Sequence, residues 1–340
     1  MSTKIKILWI DDDCENHRED VRNLEGENSN LIIDIIHPTK LFDKKSLKKA
    51  NYDLFLLDYF LNEMPSSDGS KYPDEGLTIA GKIKEKHPEL PVYGVSHQEN
   101  KGMFGTASQP SKAIFDKIFT FLEIQRKGAN ILYWDAIDFK KIRKIPKEDV
   151  DALLTLLKAP VFSQSRLKQV LPDDLRRGID TKREGNSIAF ARWTQEKLLS
   201  IPGFLYNDLQ AATHFGMTEE KFREVVQESK LKKAKYIGIF SKTSPTLWWV
   251  SELNNFIFSS SKAKKFKFNN TWELAPLIFK IEEGDFSKCA VCNECYPDIV
   301  GIDLADATHH APIHYRCSEP YPAIKRELFF DEIRGFKQAP

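Results

Sequence analysis

Leu54-Phe55-Leu56-Leu57-Asp58 is an apolar run that ends in a carboxylate. A second apolar run, residues 5–10, ends in the acidic cluster Asp11-Asp12-Asp13. Buried parallel strands have nearly continuous apolar sequences, and open α/β sheets bind ligands beyond the carboxyl ends of their strands. The two runs therefore predict carboxylates that meet in one crevice. Clustered carboxylates repel one another unless a divalent cation lies between them, and oxygen ligands at an open site suit Mg²⁺.

Strand and helix patterns alternate around these runs over residues 1–145. The predicted strands are residues 4–10, 31–36, 52–58 and 91–96, and the predicted helices are residues 15–24, 42–50 and 76–87. Such alternation predicts an α/β domain with a doubly wound, five-stranded parallel sheet.

Four segments carry a resemblance to a known family. They are Ile7-Leu-Trp-Ile-Asp-Asp-Asp13, Tyr52-Asp-Leu-Phe-Leu-Leu-Asp58, Glu75-Gly76-Leu77 and Pro91-Val-Tyr-Gly-Val-Ser96. In this order they resemble the receiver domain of two-component response regulators, which is CheY-like and has a flavodoxin-like fold. The first two are similar to the family's acidic pair and phospho-acceptor, and the last two lead to its Ser/Thr switch residue. The resemblance covers about a third of the chain.

The resemblance implies how the domain receives a signal. Asp58 would accept a phosphoryl group from a sensor histidine kinase, and Ser96 would hydrogen-bond that group. Mg²⁺ would be held by Asp11, Asp12, Asp58 and the backbone of Phe60. An aspartyl nucleophile divides phosphoryl transfer into two easier steps, and the metal neutralises the developing charge. The new phosphate would then shift the adjacent surface. A receiver-like fold that has lost phosphorylation is the alternative.

Two features depart from the family pattern. The loop of residues 61–75 is long and polar, as if to cover the site or to contact a kinase. The lysine that the family carries after its fifth strand is not evident. Lys117 is the candidate, because it lies 21 positions after Ser96, close to the family's spacing. A rival assignment makes residues 111–125 a helix and residues 130–134 the fifth strand, with no lysine in place.

The middle of the chain divides into a connector and a second domain. Residues 146–187 are predicted to be a helix followed by a linker rich in Pro and Gly, and residues 188–280 a winged-helix-like domain. Residues 208–226 have helix-turn-helix spacing with Gly216 at the turn, and residues 236–240 and 246–250 are predicted to form a hairpin. Together these elements resemble a winged helix.

A DNA-binding role for this domain stays open beside a protein-contact role. The second helix begins Thr218-Glu219-Glu220-Lys221, which is acidic where phosphates would lie. Basic residues follow, namely Lys221, Arg223, Lys230, Lys232, Lys233 and Lys235, and a second patch holds Lys262, Lys264, Lys265 and Lys267 with Phe266 and Phe268 interleaved.

The C-terminal module, residues 281–340, carries a metal-binding pattern. Cys289-x2-Cys292 is followed, after 21 intervening residues, by His314-x2-Cys317. Two chelating pairs separated by a loop are typical of a structural zinc site, which leaves no open position for catalysis. Two alternatives stay open. Cys295 would replace Cys289, or an open site would use His309 or His310 with Asp303 or Asp306. Residues 320–336 are predicted to pack on this module.

Composition limits the setting more than the function. The 340 residues are 41% hydrophobic, and 50 Lys and Arg nearly balance 49 Asp and Glu, which argues neither for nor against nucleic acid. No apolar run reaches membrane-spanning length, and no signal peptide is evident, so a cytoplasmic protein without a membrane partner is expected. In that compartment the crowded cysteines favour metal over disulfides.

Three functions are therefore weighed. The first is a response regulator whose phosphorylation switches an output that contacts DNA, a partner protein or a second copy of the chain. The second is a phosphate-sink receiver in a signalling or anti-phage defence operon. The third is a zinc-dependent nucleic-acid enzyme with receiver regulation, which lacks a recognisable catalytic constellation. No enzymatic activity is expected beyond self-phosphorylation from phosphodonors and autodephosphorylation.

Overall fold

The computed structural model describes most of the chain, in two units. The described residues are 3–42, 51–59, 61, 64–65, 71–72, 75–96, 114–146, 149–176, 186–228, 230–265, 270–295, 298–303 and 310–317. The first unit comprises Met1–Leu153 with Pro172–Arg192, and the second unit comprises Leu154–Leu171 with Trp193–Pro340. The predicted connector of residues 146–187 is thus divided between them.

A five-stranded parallel sheet forms the centre of the first unit. Its strands are β1 (Ile5–Ile10), β2 (Leu31–Ile36), β3 (Leu54–Asp58), β6 (Val92–Ser96) and β7 (Lys117–Thr120). Their order is β2-β1-β3-β6-β7, and every neighbouring pair is parallel. Counting only these five strands along the chain gives 2-1-3-4-5, the doubly wound order of flavodoxin-like folds. The predicted sheet is confirmed.

Helices cover the sheet, and short elements connect it. The helices of the first unit are α1 (Arg18–Glu27), α2 (Glu75–Lys86), α3 (Phe121–Arg143), α4 (Val150–Leu156), α6 (Asp173–Arg176) and α7 (Asn186–Trp193). The last residues of α4 and of α7 belong to the second unit. A 3₁₀ turn spans Pro38–Phe42, and β4 (Met64–Pro65) pairs with β5 (Lys71–Tyr72). The rest of the predicted helix at residues 42–50 lies outside the described residues.

Burial explains why the strands are so apolar. All five residues of β3 and of β6 are buried. Leu8 and Phe55 point to the face on which α2 packs through Ile79 and Ile83. Strands that are covered on both faces carry mostly apolar side chains, and in β3 and β6 the carboxylate of Asp58 and the hydroxyl of Ser96 stand at the carboxyl ends.

The fifth strand and the helix after it settle one open assignment. β7 pairs with β6, with Ser96 opposite Thr120. Thr120 then caps α3, because its hydroxyl accepts the backbone N–H of Glu123 and the Glu123 carboxylate accepts the N–H of Thr120. Residues 130–134 lie inside this 23-residue helix. The rival assignment of a strand there is wrong.

Short helices build the second unit around an aromatic and aliphatic core. They are α5 (Val161–Val170), α8 (Asp208–His214), α9 (Glu219–Glu228), α10 (Val250–Phe258), α11 (Ser261–Lys265) and α12 (Thr271–Phe279). Phe215, Phe222 and Leu253 are completely buried in this core. Gly216 lies between α8 and α9 with a φ of 72°, in the left-handed region that favours glycine. Two helices joined by a turn at Gly216 therefore lie where the spacing predicted them.

The predicted wing is formed only in part. The strand expected at residues 246–250 is reduced to β9 (Trp248–Trp249), which pairs with β8 (Leu205–Tyr206), and α10 begins at Val250. Lys235 pairs with Trp248 in an isolated antiparallel bridge, and the backbone N–H of Tyr236 donates to the carbonyl oxygen of Leu247 at 2.8 Å. Beyond this contact the expected partner at residues 236–240 bends into turns, with Phe240 at a φ of 61°.

The C-terminal module contains an antiparallel hairpin, β10 (Ile299–Asp303) with β11 (His310–His314). A 3₁₀ turn, Tyr315–Cys317, follows β11 directly. The amphipathic stretch at residues 320–336 lies outside the described residues. No helix in the described part of the chain is both long and apolar enough to cross a membrane.

Gly76 allows α2 to begin directly beside the end of β3. A Cβ at Gly76 would lie 2.5 Å from the carbonyl oxygen of Asp58 and 2.7 Å from that of Tyr59. We expect Gly76→Ala to lower the free energy of unfolding by about 1–3 kcal/mol, as overpacking does, in urea titrations followed by circular dichroism.

Gly81, in the same helix, is the matched control. A Cβ there would meet nothing within 4 Å. Gly81→Ala should therefore raise stability by up to about 1 kcal/mol through helix propensity. Equal effects of the two substitutions would contradict the close approach at Gly76.

Candidate metal centres

Three carboxylates converge at the carboxyl edge of the sheet. Asp11 follows β1, Asp58 ends β3, and these strands pair with Ile10 opposite Leu57. Carboxylate oxygens of Asp11, Asp12 and Asp58 all lie within 4.8 Å of one another. The register of two neighbouring strands therefore brings together the side chains that the apolar runs predicted.

Burial makes this acidic cluster suited to a cation. Asp11 is 1% exposed and Asp58 is 4% exposed, whereas Asp12 is half-buried. Three negative charges this close, two of them out of water, are favourable only with a counter-charge or a proton. Oxygen-only donors fit a hard divalent cation such as Mg²⁺. Phe60, the predicted backbone ligand, lies outside the described residues.

The carboxylate of Asp11 is held by two N–H donors. The indole N–H of Trp9 donates to Oδ2 at 3.2 Å, and the backbone N–H of Asp13 donates to Oδ1 at 2.9 Å. Asp13 itself is exposed and is not part of the cluster. Trp9 is not among the site residues predicted from the sequence, although alternation along β1 places residues 9 and 11 on one face.

Ser96 lies at the same edge as the acidic cluster. It ends β6, is 1% exposed, and follows Val95, which is paired with Asp58 across the sheet. Its position is one residue beyond that of Asp58 along the strand direction. Ser96 and Asp58 therefore end neighbouring strands at one edge of the sheet.

Lys117 does not lie at this edge, which corrects its predicted role. It starts β7 opposite Tyr93, and its ammonium group donates to Asp135 Oδ2 at 3.0 Å. Asp135 is completely buried and also accepts the hydroxyl of Tyr93 at 2.9 Å. Three residues of strand, about 10 Å, separate the level of Lys117 from that of Ser96. The residue of β7 opposite Ser96 is Thr120.

A second group of possible ligands lies in the C-terminal module. Sulfur or nitrogen atoms of Cys289, Cys292, His314 and Cys317 all lie within 4.8 Å of one another. Cys292 Sγ is 3.2 Å from His314 Nδ1. His314 ends β11 and Cys317 ends the following 3₁₀ turn, so local structure presents both toward the Cys289–Cys292 turn. A tetrahedral zinc site requires four donor atoms, and this group supplies four.

The electrostatics of this cysteine cluster also favour a cation. Burial opposes ionisation of Cys289, but backbone N–H groups of Cys292, His314 and Val291 lower the pKa of its thiol. Those of His314 and Val291 each lie 3.4 Å from the sulfur. Burial and the neighbouring Cys289 raise the pKa of Cys317 to about 11. A metal ion bound here would stabilise the thiolate forms, which are the forms of cysteine that bind metals.

The alternative ligands are placed apart from this cluster. Within the described residues, Cys295, Asp303 and His310 belong to neither group of converging ligand atoms. Asp303 and His310 face each other across the hairpin instead. His309 and Asp306 lie outside the described residues. The geometry thus brings together the Cys289 set rather than the version with Cys295.

The predicted recognition helix, α9, has its basic residues paired with acids. Arg223 bonds to Asp208 at 3.2 Å and also to Glu219. Lys221 bonds to Glu224 at 3.1 Å and lies 3.5 Å from Asp285. These pairs leave little free positive charge on α9 for phosphates.

A lysine segment, Lys230 to Lys235, follows α9 and differs from it in the pairing of its basic side chains. Its members Lys230, Lys232, Lys233 and Lys235 are exposed, and none forms an ion pair with a described residue. Lys267, Phe266 and Phe268 of the second predicted patch lie outside the described residues. The lysine segment is therefore one described basic surface suited to an acidic partner, and Lys264 and Lys265 of the second patch are also exposed.

Comparisons with known proteins bear on the first unit. No protein-family model matches the chain, and no curated protein matches it. Among solved structures, a response regulator receiver domain protein from Clostridium thermocellum is 18% identical, covering 41% of this chain and 98% of its own, with a TM-score of 0.30. The response regulator TrrA from Thermotoga maritima, in complex with Mg²⁺ and beryllofluoride, is 24% identical over 36% of this chain and 94% of its own, with a TM-score of 0.26.

The isolated receiver (REC) domain of RcsB from Salmonella enterica serovar Typhimurium, in the presence of phosphomimetic BeF3⁻, is 16% identical. It covers 38% of this chain and 88% of its own, with a TM-score of 0.28. The printed descriptions of these three structures name response regulators or their receiver domains, and each covers about two fifths of this chain.

Proposed function

We propose that the chain is a phosphorylation-controlled response regulator, with Asp58 as the phospho-acceptor and Mg²⁺ held by Asp11, Asp12 and Asp58. One observation carries the proposal, the convergence of these three carboxylates at adjacent strand ends. A nucleophilic carboxylate beside two others that bind a cation is the arrangement that phosphoryl transfer to aspartate requires.

Two side chains, those of Asp58 and Ser96, would contact the phosphoryl group during its transfer. An oxygen of Asp58 attacks phosphorus as the bond from phosphorus to the donor, a histidine nitrogen of the kinase, breaks. Ser96, one strand away, donates its hydroxyl to an oxygen of the transferred group. When bound, Mg²⁺ supplies neutralisation of charge on the phosphoryl oxygens. Lys117 takes no part, because Asp135 holds its ammonium group elsewhere.

For the output we propose a zinc-stabilised second unit that contacts a macromolecule. Four protein donors fill a tetrahedron, so the cysteine cluster favours a structural over a catalytic metal. This disfavours a zinc-dependent nucleic-acid enzyme. A phosphate-sink receiver remains the second candidate, because the paired charges of α9 disfavour base recognition by that helix.

Phosphorylation is tested with a small phosphodonor. Incubated with acetyl phosphate and Mg²⁺, the full-length protein should gain one phosphoryl group by intact-mass measurement, and Asp58→Asn should gain none. Asp13→Asn removes a neighbouring charge outside the cluster and should still be modified. An unmodified wild type, or a modified Asp58→Asn, would overturn the proposed acceptor.

Zinc is tested by metal analysis of the purified chain. We expect one zinc ion per chain, lost in Cys292→Ser because three donors no longer close the tetrahedron. Cys295→Ser, a thiol of the same turn that lies outside the cluster, should keep the metal. A folded wild type that holds no zinc would rule out the metal-stabilised module.

The DNA version of the output is tested by salt dependence. If the lysine segment contacts phosphates, Lys232→Glu with Lys233→Glu should weaken binding to duplex DNA in mobility-shift titrations. The slope of log K against log salt should fall by about 2, since each phosphate that a lysine neutralises adds about 0.9 to it. Lys197→Glu with Lys288→Glu is the control, because it makes the same change of charge at two other exposed lysines. No wild-type binding at low salt would leave protein contact as the output.

A further inference from the structure

Trp9 is built into the acidic cluster rather than only into the core. Its side chain is completely buried, and its indole N–H donates to Asp11 Oδ2 at 3.2 Å. Residues two apart on a strand lie on the same face, which is why the indole reaches the carboxylate. The backbone N–H of Asp13 holds the other oxygen of Asp11. Both oxygens of this carboxylate are therefore fixed by donors.

The indole is itself held in place by its neighbours. Its ring stacks on His17, with centroids 5.4 Å apart and planes 17° apart, and Phe121 lies against it at 6.4 Å. His17 is in turn bonded through Nδ1 to Asp20 Oδ2 at 3.0 Å. If Asp11 turned away, the indole N–H would be left buried without an acceptor, which is unfavourable. Trp9 therefore opposes rotation of the Asp11 carboxylate.

We propose that Trp9 is a positioning residue for the divalent cation, holding the Asp11 carboxylate where its oxygens converge with those of Asp12 and Asp58. This inference rests on the proposed Mg²⁺ site. Each carboxylate oxygen has two lone pairs, so an oxygen that accepts one N–H bond can still bind a cation. Donors that orient metal ligands matter for affinity, and their loss weakens metal binding by about 10- to 100-fold.

Trp9→Phe removes the donor and keeps an aromatic ring. Titrated with MgCl2 in a calorimeter, this variant of the full-length protein should bind about 10- to 100-fold more weakly than wild type. Trp134→Phe, the same change at a half-buried indole of α3, should bind as wild type does. A second readout is the rise in the thermal unfolding midpoint when Mg²⁺ is added. This rise should be smaller in Trp9→Phe than in wild type. If Trp9 had a purely structural role, the substitution would lower the midpoint equally with and without metal.

The outcomes separate this inference from the proposed function. If wild type and Trp9→Phe bind Mg²⁺ equally, the positioning role is overturned and the site stands. If wild type does not bind Mg²⁺, the proposed site fails and the role of Trp9 fails with it. Should Trp9→Phe not fold, benzothienylalanine at position 9 decides, because it keeps the shape of the indole and carries a sulfur atom, which is no donor, in place of the N–H. Its binding should also weaken, and unchanged binding would reject the proposal.

Discussion

Mutual repulsion among Asp11, Asp12 and Asp58 is the constraint on which the function of the first unit depends. Two unit charges 4.8 Å apart repel by about 3.5 kcal/mol at an effective dielectric constant of about 20. Three such pairs amount to most of the stability of a typical domain. The fold accommodates them because β1 and β3 are fixed by apolar burial along their lengths. The cluster is thus a place where a bound cation, a proton or a phosphoryl group changes the free energy substantially.

The C-terminal module also holds converging ligands, here of a softer kind. Among the described residues, its buried core consists of Cys289, Ile313 and Tyr315, and Ile299, Val300, Ala311 and Cys317 pack against it. Two of the four converging ligands, Cys289 and His314, are buried, and the Cys289 sulfur accepts the backbone N–H groups of Val291 and His314. A zinc ion bound there would contribute its binding free energy to folding. It would act through Cys289, which belongs both to the ligand set and to the described core.

The sequence predicted the parts of the site that strand register determines. The apolar runs that end in aspartate predicted the location of Asp11 and Asp58, because the carboxyl end of a buried strand is where a charged side chain can reach the edge of the sheet. The spacing from Ser96 predicted the wrong position for Lys117, because a count of residues does not show that β7 extends to Thr120. The capping pair of Thr120 and Glu123 marks that strand end in the sequence, as the start of a helix.

Recognition surfaces are harder to predict for a physical reason. Strand ends are placed by backbone pairing, which apolar periodicity reports, whereas the charge of a helix face depends on which acids pair with its bases, both in the helix and elsewhere in the chain. Lys221 and Arg223 suggest a basic helix, but Glu224 and Glu219 of the same helix pair with them. Asp285 and Asp208, 64 and 15 positions away, add further partners. The acidic cluster is thus encoded by local apolar runs, while the charge of the helix face depends in part on long-range pairing that a single sequence does not display.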